Sequence, residues 1–111
     1  MKYIAHRGLP TQALENTLES FRLAAEQGAR YIECDVWLSS DGELVVVHDK
    51  TLDRTEQGTG LVSAHTALTL LERGVPTLSH VYGAIGDATL IVELKGAGTA
   101  EVLSTYFEKT P

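Results

Sequence analysis

The sequence predicts an α/β fold: the first three βα units of a (β/α)8 barrel, incomplete at this length. Strand-like and helix-like segments alternate along it, which implies parallel strands joined by right-handed crossovers. Three such units fit within 111 residues, whereas a whole barrel takes about 250. Histidines also close two of the strand-like segments, and strand ends are where a barrel gathers its reactive groups.

The first strand is read at Tyr3 to His6, ending at Gly8 before a turn around Pro10. Asn16-Thr17-Leu18-Glu19 reads as a capping box, with the Asn16 side chain accepting a free backbone N–H and Glu19 reaching back. Leu18, Phe21 and Ala25 then share one helical face and Gly28 suits the stop, so a helix is expected over about 17–27. Tyr31 to Leu38 is the second strand. Its even positions Ile32, Cys34, Val36 and Leu38 make one apolar face, and Tyr31, Glu33, Asp35 and Trp37 make the other.

Asp41-Gly42 signals a hairpin, with Glu43 to Val47 as the returning strand that delivers His48. From Asp49 to about residue 64 the text turns polar and glycine-containing, and about 49–75 is read as an inserted segment. Ala67 to Glu72 suits one or two helical turns. Pro76-Thr77-Leu78-Ser79 opens another short helix, with Pro76 placed where a first turn tolerates it. Thr89 to Lys95 is the next strand, and a final helix is expected over about Thr99 to Lys109.

Composition narrows the function classes. Hydrophobic residues are 43% and charged residues 22%, the balance of an ordinary globular domain. No apolar run approaches the roughly 20 residues that span a bilayer, and the start is too short in apolar residues for a secretion signal. The expectation is a cytoplasmic protein without stable membrane insertion. One cysteine, Cys34, excludes an internal disulfide and a multi-cysteine zinc site. A net charge of -6 argues against nucleic acid as a partner, because that needs a basic footprint.

Glu33 and Asp35 are two apart on a strand, so their side chains leave one face with Cα atoms roughly 6.6 Å apart. Two such carboxylates can converge on one hard cation. Glu93, near the end of the next parallel strand, can complete the set, and three carboxylates without nearby cysteine favour Mg²⁺ or Ca²⁺ over zinc. Glu-x-Asp alone also describes the wet face of an amphipathic strand. Against that stands the rule that strands of a parallel sheet covered by helices are apolar on both faces. Glu93 likewise interrupts the apolar run Leu90-Ile91-Val92-Leu94.

His6 and His48 can divide general base and general acid roles, since imidazole titrates near neutral pH. Arg7 offers paired planar donors to a phosphate and Lys95 a point charge. His65 and His80 have no such company and read as structural or surface residues.

Taken together the strings are far more specific than the parts. His6-Arg7-Gly8, Glu15-Asn16-Thr17 and Glu33-Cys34-Asp35-Val36 resemble the glycerophosphodiester phosphodiesterase family in order and spacing. The likeness continues through Asp41-Gly42, Val46-Val47-His48-Asp49, Leu52-Asp53-Arg54-Thr55 and Gly58-Thr59-Gly60 to Pro76-Thr77-Leu78 and Glu93-Leu94-Lys95.

The resemblance implies a (β/α)8 barrel that cleaves glycerophosphodiesters to sn-glycerol 3-phosphate and an alcohol with Mg²⁺ or Ca²⁺. It implies Glu33, Asp35 and Glu93 as metal ligands, His6 and His48 as the acid–base pair, and Arg7 and Lys95 near the phosphate. Which histidine is the base stays open, although similarity to phosphoinositide lipases favours His6. The competing expectation is a truncated, non-catalytic metal- or phosphate-binding module, its open sheet edges completed by a homo-oligomer or by a missing C-terminal half of the barrel. A membrane-active phospholipase or sphingomyelinase D relative is disfavoured, since no secretion signal or disulfide pair is read in the sequence.

Overall fold

The computed structural model describes residues 4–8 and 13–109. Tyr3 and the turn around Pro10 lie outside them. The element order is β1 (Ile4–His6), α1 (Leu18–Glu26), β2 (Tyr31–Leu38), β3 (Leu44–Val46), a 3-10 turn (Val62–Ala64), α2 (Ala67–Glu72), α3 (Leu78–Ala84), β4 (Thr89–Leu94) and α4 (Thr99–Lys109). The result is a mixed α/β fold built on one open four-stranded sheet.

β2 organises that sheet. It pairs in parallel with β1, Ile4 to His6 facing Tyr31 to Glu33, and in parallel with β4 along its length, Asp35 facing Glu93. It pairs antiparallel with β3, Val36 facing Val46. Because β4 borders β2 at both Glu33 and Val36, β1 and β3 must share the opposite edge, one after the other. The end of β1, which carries His6, and the chain just after β3, which carries His48, are therefore both brought to the edge of one strand.

The pleat of β2 separates core from site, as its alternation requires. Ile32, Cys34 and Val36 are fully buried and pack with Phe21 and Ala24 of α1, Leu78 and Val81 of α3, and Ile85 just after it. Burial also pushes the Cys34 thiol well above its ordinary pKa, so it acts as a small apolar residue. A second apolar cluster of Val45, Val47, Leu52, Val62, Leu70 and Val75 holds the 49–75 stretch against β3, with Trp37 packed on it.

Two local expectations are corrected. The N-cap of α1 is Thr17, whose hydroxyl accepts from Ser20 N at 3.3 Å, and not Asn16 with Glu19. Asn16 has φ 55°, in the left-handed region, where its side chain serves Asp35 instead of the helix. At α3 the N-cap is Thr77, so Pro76 precedes the cap and is not in the first turn. His80 closes a capping box with Thr77 there, which accounts for that histidine structurally.

Candidate active site

Asp35 is the buried floor of the site. Its side chain is wholly inaccessible, and Asn16 Nδ2 donates to its Oδ2 at 3.1 Å. Arg7 Nε lies 3.4 Å from the same oxygen. Glu33 is mostly covered, and Glu93, across the strand pair, is open to solvent at 53% exposure. The three carboxylates offer oxygens within 4.8 Å of one another. The site thus runs from a buried floor at Asp35 to an exposed rim at Glu93.

The charge distribution leaves a place for a cation. Burial holds the Glu33 carboxyl above its ordinary pKa, and the Asp35 charge adds to the effect. Burial likewise raises Asp35, against the opposing hydrogen bond from Asn16. Glu93 is lowered instead, by the Lys95 ammonium 2.9 Å away. Glu33 Oε1 and Asp35 Oδ1 are buried and have no hydrogen-bond partner among the described residues. Buried polar atoms are seldom left so, and a bound ion is one of the accepted reasons. The donor set, carboxylate oxygens only, fits a hard oxygen-liganded cation such as Mg²⁺ or Ca²⁺.

The cations and histidines stand around this cluster. Arg7 has φ 59°, a conformation that costs a non-glycine residue roughly 1–3 kcal/mol unless its surroundings fix it. They do: Arg7 N donates to Glu33 O at 2.8 Å, and Arg7 O accepts from Asn16 N at 2.9 Å and from the Ser20 hydroxyl at 3.2 Å. His6 Nε2 sits 2.8 Å from Glu33 Oε2, with its ring largely exposed. His48 Nδ1 sits 2.7 Å from Asp49 Oδ1, and its carbonyl accepts from Trp37 Nε1 at 2.9 Å.

All seven expected residues lie on this end of the sheet. Direct contacts pair His6 with Glu33, Arg7 with Asp35 and Lys95 with Glu93, the three carboxylates bring these pairs together, and His48 is tied to Arg7 by ion pairs through Asp49, Arg54 and Glu15. Sequence reasoning gave Asn16 only a capping role and assigned no role to Glu15, Asp49 or Arg54. The signal for Asn16 was the residue type itself, since asparagine tolerates the left-handed conformation and can hydrogen-bond sideways from it.

The chain is similar to known proteins along nearly its whole length. Residues 6–106 match the model of the glycerophosphoryl diester phosphodiesterase family. A glycerophosphodiester phosphodiesterase of Caldanaerobacter subterraneus subsp. tengcongensis is 41% identical over 105 residues, covering 83% of this chain and 43% of that protein. Among solved structures, the glycerophosphodiester phosphodiesterase of Thermotoga maritima superposes with a TM-score of 0.89 at 32% identity, over 98% of this chain and 50% of that one. A phosphodiesterase of Oleispira antarctica, solved with the product sn-glycerol-3-phosphate, gives a TM-score of 0.77 at 35% identity, over 94% and 52%. The chain spans about half the length of these relatives. With its motifs, its sheet and these matches in agreement, the chain belongs to the glycerophosphoryl diester phosphodiesterase family.

Proposed function

We propose that this chain carries the reacting half of an enzyme that hydrolyses glycerophosphodiesters to sn-glycerol 3-phosphate and an alcohol. Its three units would open a (β/α)8 barrel, with 49–75 as an insertion after the hairpin. The observation that carries the reading is the orphaned oxygen pair, Glu33 Oε1 and Asp35 Oδ1, on a carboxylate cluster flanked by two histidines and two cations.

Glu33, Asp35 and Glu93 would hold the divalent cation. When bound, Mg²⁺ or Ca²⁺ neutralises phosphate charge and orients the glycerol hydroxyls. One histidine of the pair takes the proton of the glycerol 2-hydroxyl, and that oxygen attacks phosphorus. A P–O bond forms to close a cyclic phosphate while the P–O bond to the alcohol breaks. The other histidine delivers a proton to the departing oxygen. Water then opens the ring by the reverse proton traffic, giving sn-glycerol 3-phosphate. Arg7 and Lys95 stabilise the charge that gathers on the phosphoryl oxygens.

The test is release of sn-glycerol 3-phosphate from glycerophosphocholine, with and without EDTA. The reading expects turnover that EDTA abolishes and added Mg²⁺ or Ca²⁺ restores. Turnover indifferent to EDTA, or none under any metal, contradicts it.

A further inference from the structure

Arg54 stands outside the carboxylate cluster, yet it makes the densest set of ionic contacts among the described residues. Its Nη1 and Nη2 grip Glu15 at 3.0 and 2.7 Å, while Nε and Nη2 grip Asp49 at 2.7 and 3.3 Å. Asp49 in turn holds His48 Nδ1. Glu15 belongs to the segment between β1 and α1 and also meets Arg7 Nη1 at 3.5 Å. One guanidinium therefore spans the excursion that follows β3 and the segment that follows β1.

An isolated surface ion pair contributes little, but a planar fork shared by two carboxylates is the geometry in which such pairs gain. The fork binds Asp49 by two nitrogens and so fixes the plane of its carboxylate. With that carboxylate facing Nδ1, His48 keeps its ring proton on Nδ1 when neutral and presents Nε2 to the reaction. A second restraint comes from the Trp37 indole on the His48 carbonyl. Without Arg54, Asp49 would be free to rotate and would have only His48 to hold it.

We propose that Arg54 is a positioning residue: through Asp49 it sets the tautomer and aim of His48, and through Glu15 it locks that histidine to the strand-end segment bearing His6 and Arg7. This rests on the hydrolase reading for its catalytic consequence, but the tautomer of His48 can be read without turnover.

The experiment records ¹⁵N shifts of the imidazoles at a pH of about 8, above the ordinary histidine range, with His48→Gln used to assign the signal. Native protein is expected to show the Nδ1–H form at His48, and Arg54→Leu a shift toward Nε2–H. On glycerophosphocholine, Arg54→Leu should lower kcat by roughly 10- to 100-fold, the effect usual for partners that orient a site's ligands, with KM within about twofold. Arg54→Lys, which keeps the charge without the fork, should recover part of the kcat and part of the tautomer. If Arg54→Leu loses its cooperative melt, Glu15→Gln, which removes one anchor of the fork, should give the same shift in smaller degree. An unchanged His48 tautomer in Arg54→Leu, or in Glu15→Gln where Leu does not fold, overturns the inference, as does a loss lying wholly in KM. If native protein turns nothing over, the hydrolase reading falls while the tautomer comparison still decides the clamp.

Discussion

Asn16 and Arg7 hold conformations that most residues avoid, and both do so to serve Asp35. Asn16→Ala removes the side-chain donor to a buried carboxylate and puts at φ 55° a residue without asparagine's tolerance of the left-handed region. Together these should cost about 1–3 kcal/mol in a thermal melt. Asn16→Gly loses the donor but keeps the backbone freedom, so it should be the milder of the two. Equal melting of both variants would mean that the left-handed backbone carries no cost there.

Asp49 provides a pH test. Hydrogen bonds from Arg54, then from His48, hold its carboxyl down from the ordinary 3.8 to about 2. A lowered carboxyl contributes stability that is fully present above its unfolded value and lost as pH falls through the folded one. Native protein should thus lose stability between 3.8 and about 2 in part through Asp49, and Asp49→Asn should show a shallower acid limb. Identical limbs by acid titration of the melting curve would contradict the ion-pair assignment.

At the scale of elements, β2 is where legible sequence and legible function coincide. Its period-two pattern separated Ile32, Cys34 and Val36 from Glu33, Asp35 and Trp37, and the structure puts the first set in the core, brings Glu33 and Asp35 together with Glu93 and packs Trp37 on the second apolar cluster. The hairpin at Asp41-Gly42 and the strand at Thr89 were equally readable, because turn chemistry and apolar runs are local. The start of α1 was not. Asn16 and Thr17 are both good caps, and only the distant Asp35 decides which of them is taken elsewhere. The ties from Arg54 to Glu15, 39 residues away, were likewise invisible to any local pattern.

Gly96 shows how closely the element after β4 meets β2. It has φ 77°, and a Cβ there would lie 2.8 Å from the Trp37 ring. Gly96→Ala should therefore cost about 1–3 kcal/mol by overpacking and backbone strain. If Lys95, its neighbour, holds phosphate as proposed, weaker phosphate binding should accompany the lower melting temperature. A variant as stable as native protein would show that the ring moves aside freely.

For the molecule as a whole, the sheet gathers its candidate site residues at one end and leaves β4 as an edge strand among the described residues. Ile91 and Leu94 on that strand, and Phe107 on α4, are exposed, and among the described residues β4 pairs with β2 alone. That border fits a chain spanning about half of its relatives. No described helix is long and apolar enough to cross a membrane. The overall charge of -6 makes the local balance notable: Arg7 and Lys95 are kept beside three carboxylates, a grouping that could hold a metal ion.

The metal site is the claim on which the rest depends. Calorimetric titration of native protein with Mg²⁺ and with Ca²⁺, beside Asp35→Asn and Glu33→Gln, tests it directly. One saturable site for at least one of the two ions, weakened at least 10-fold by either substitution, is the predicted result, in line with the loss of a charged oxygen ligand from a hard-cation site. Native protein that binds neither ion, or variants that bind as tightly as native protein, would contradict it.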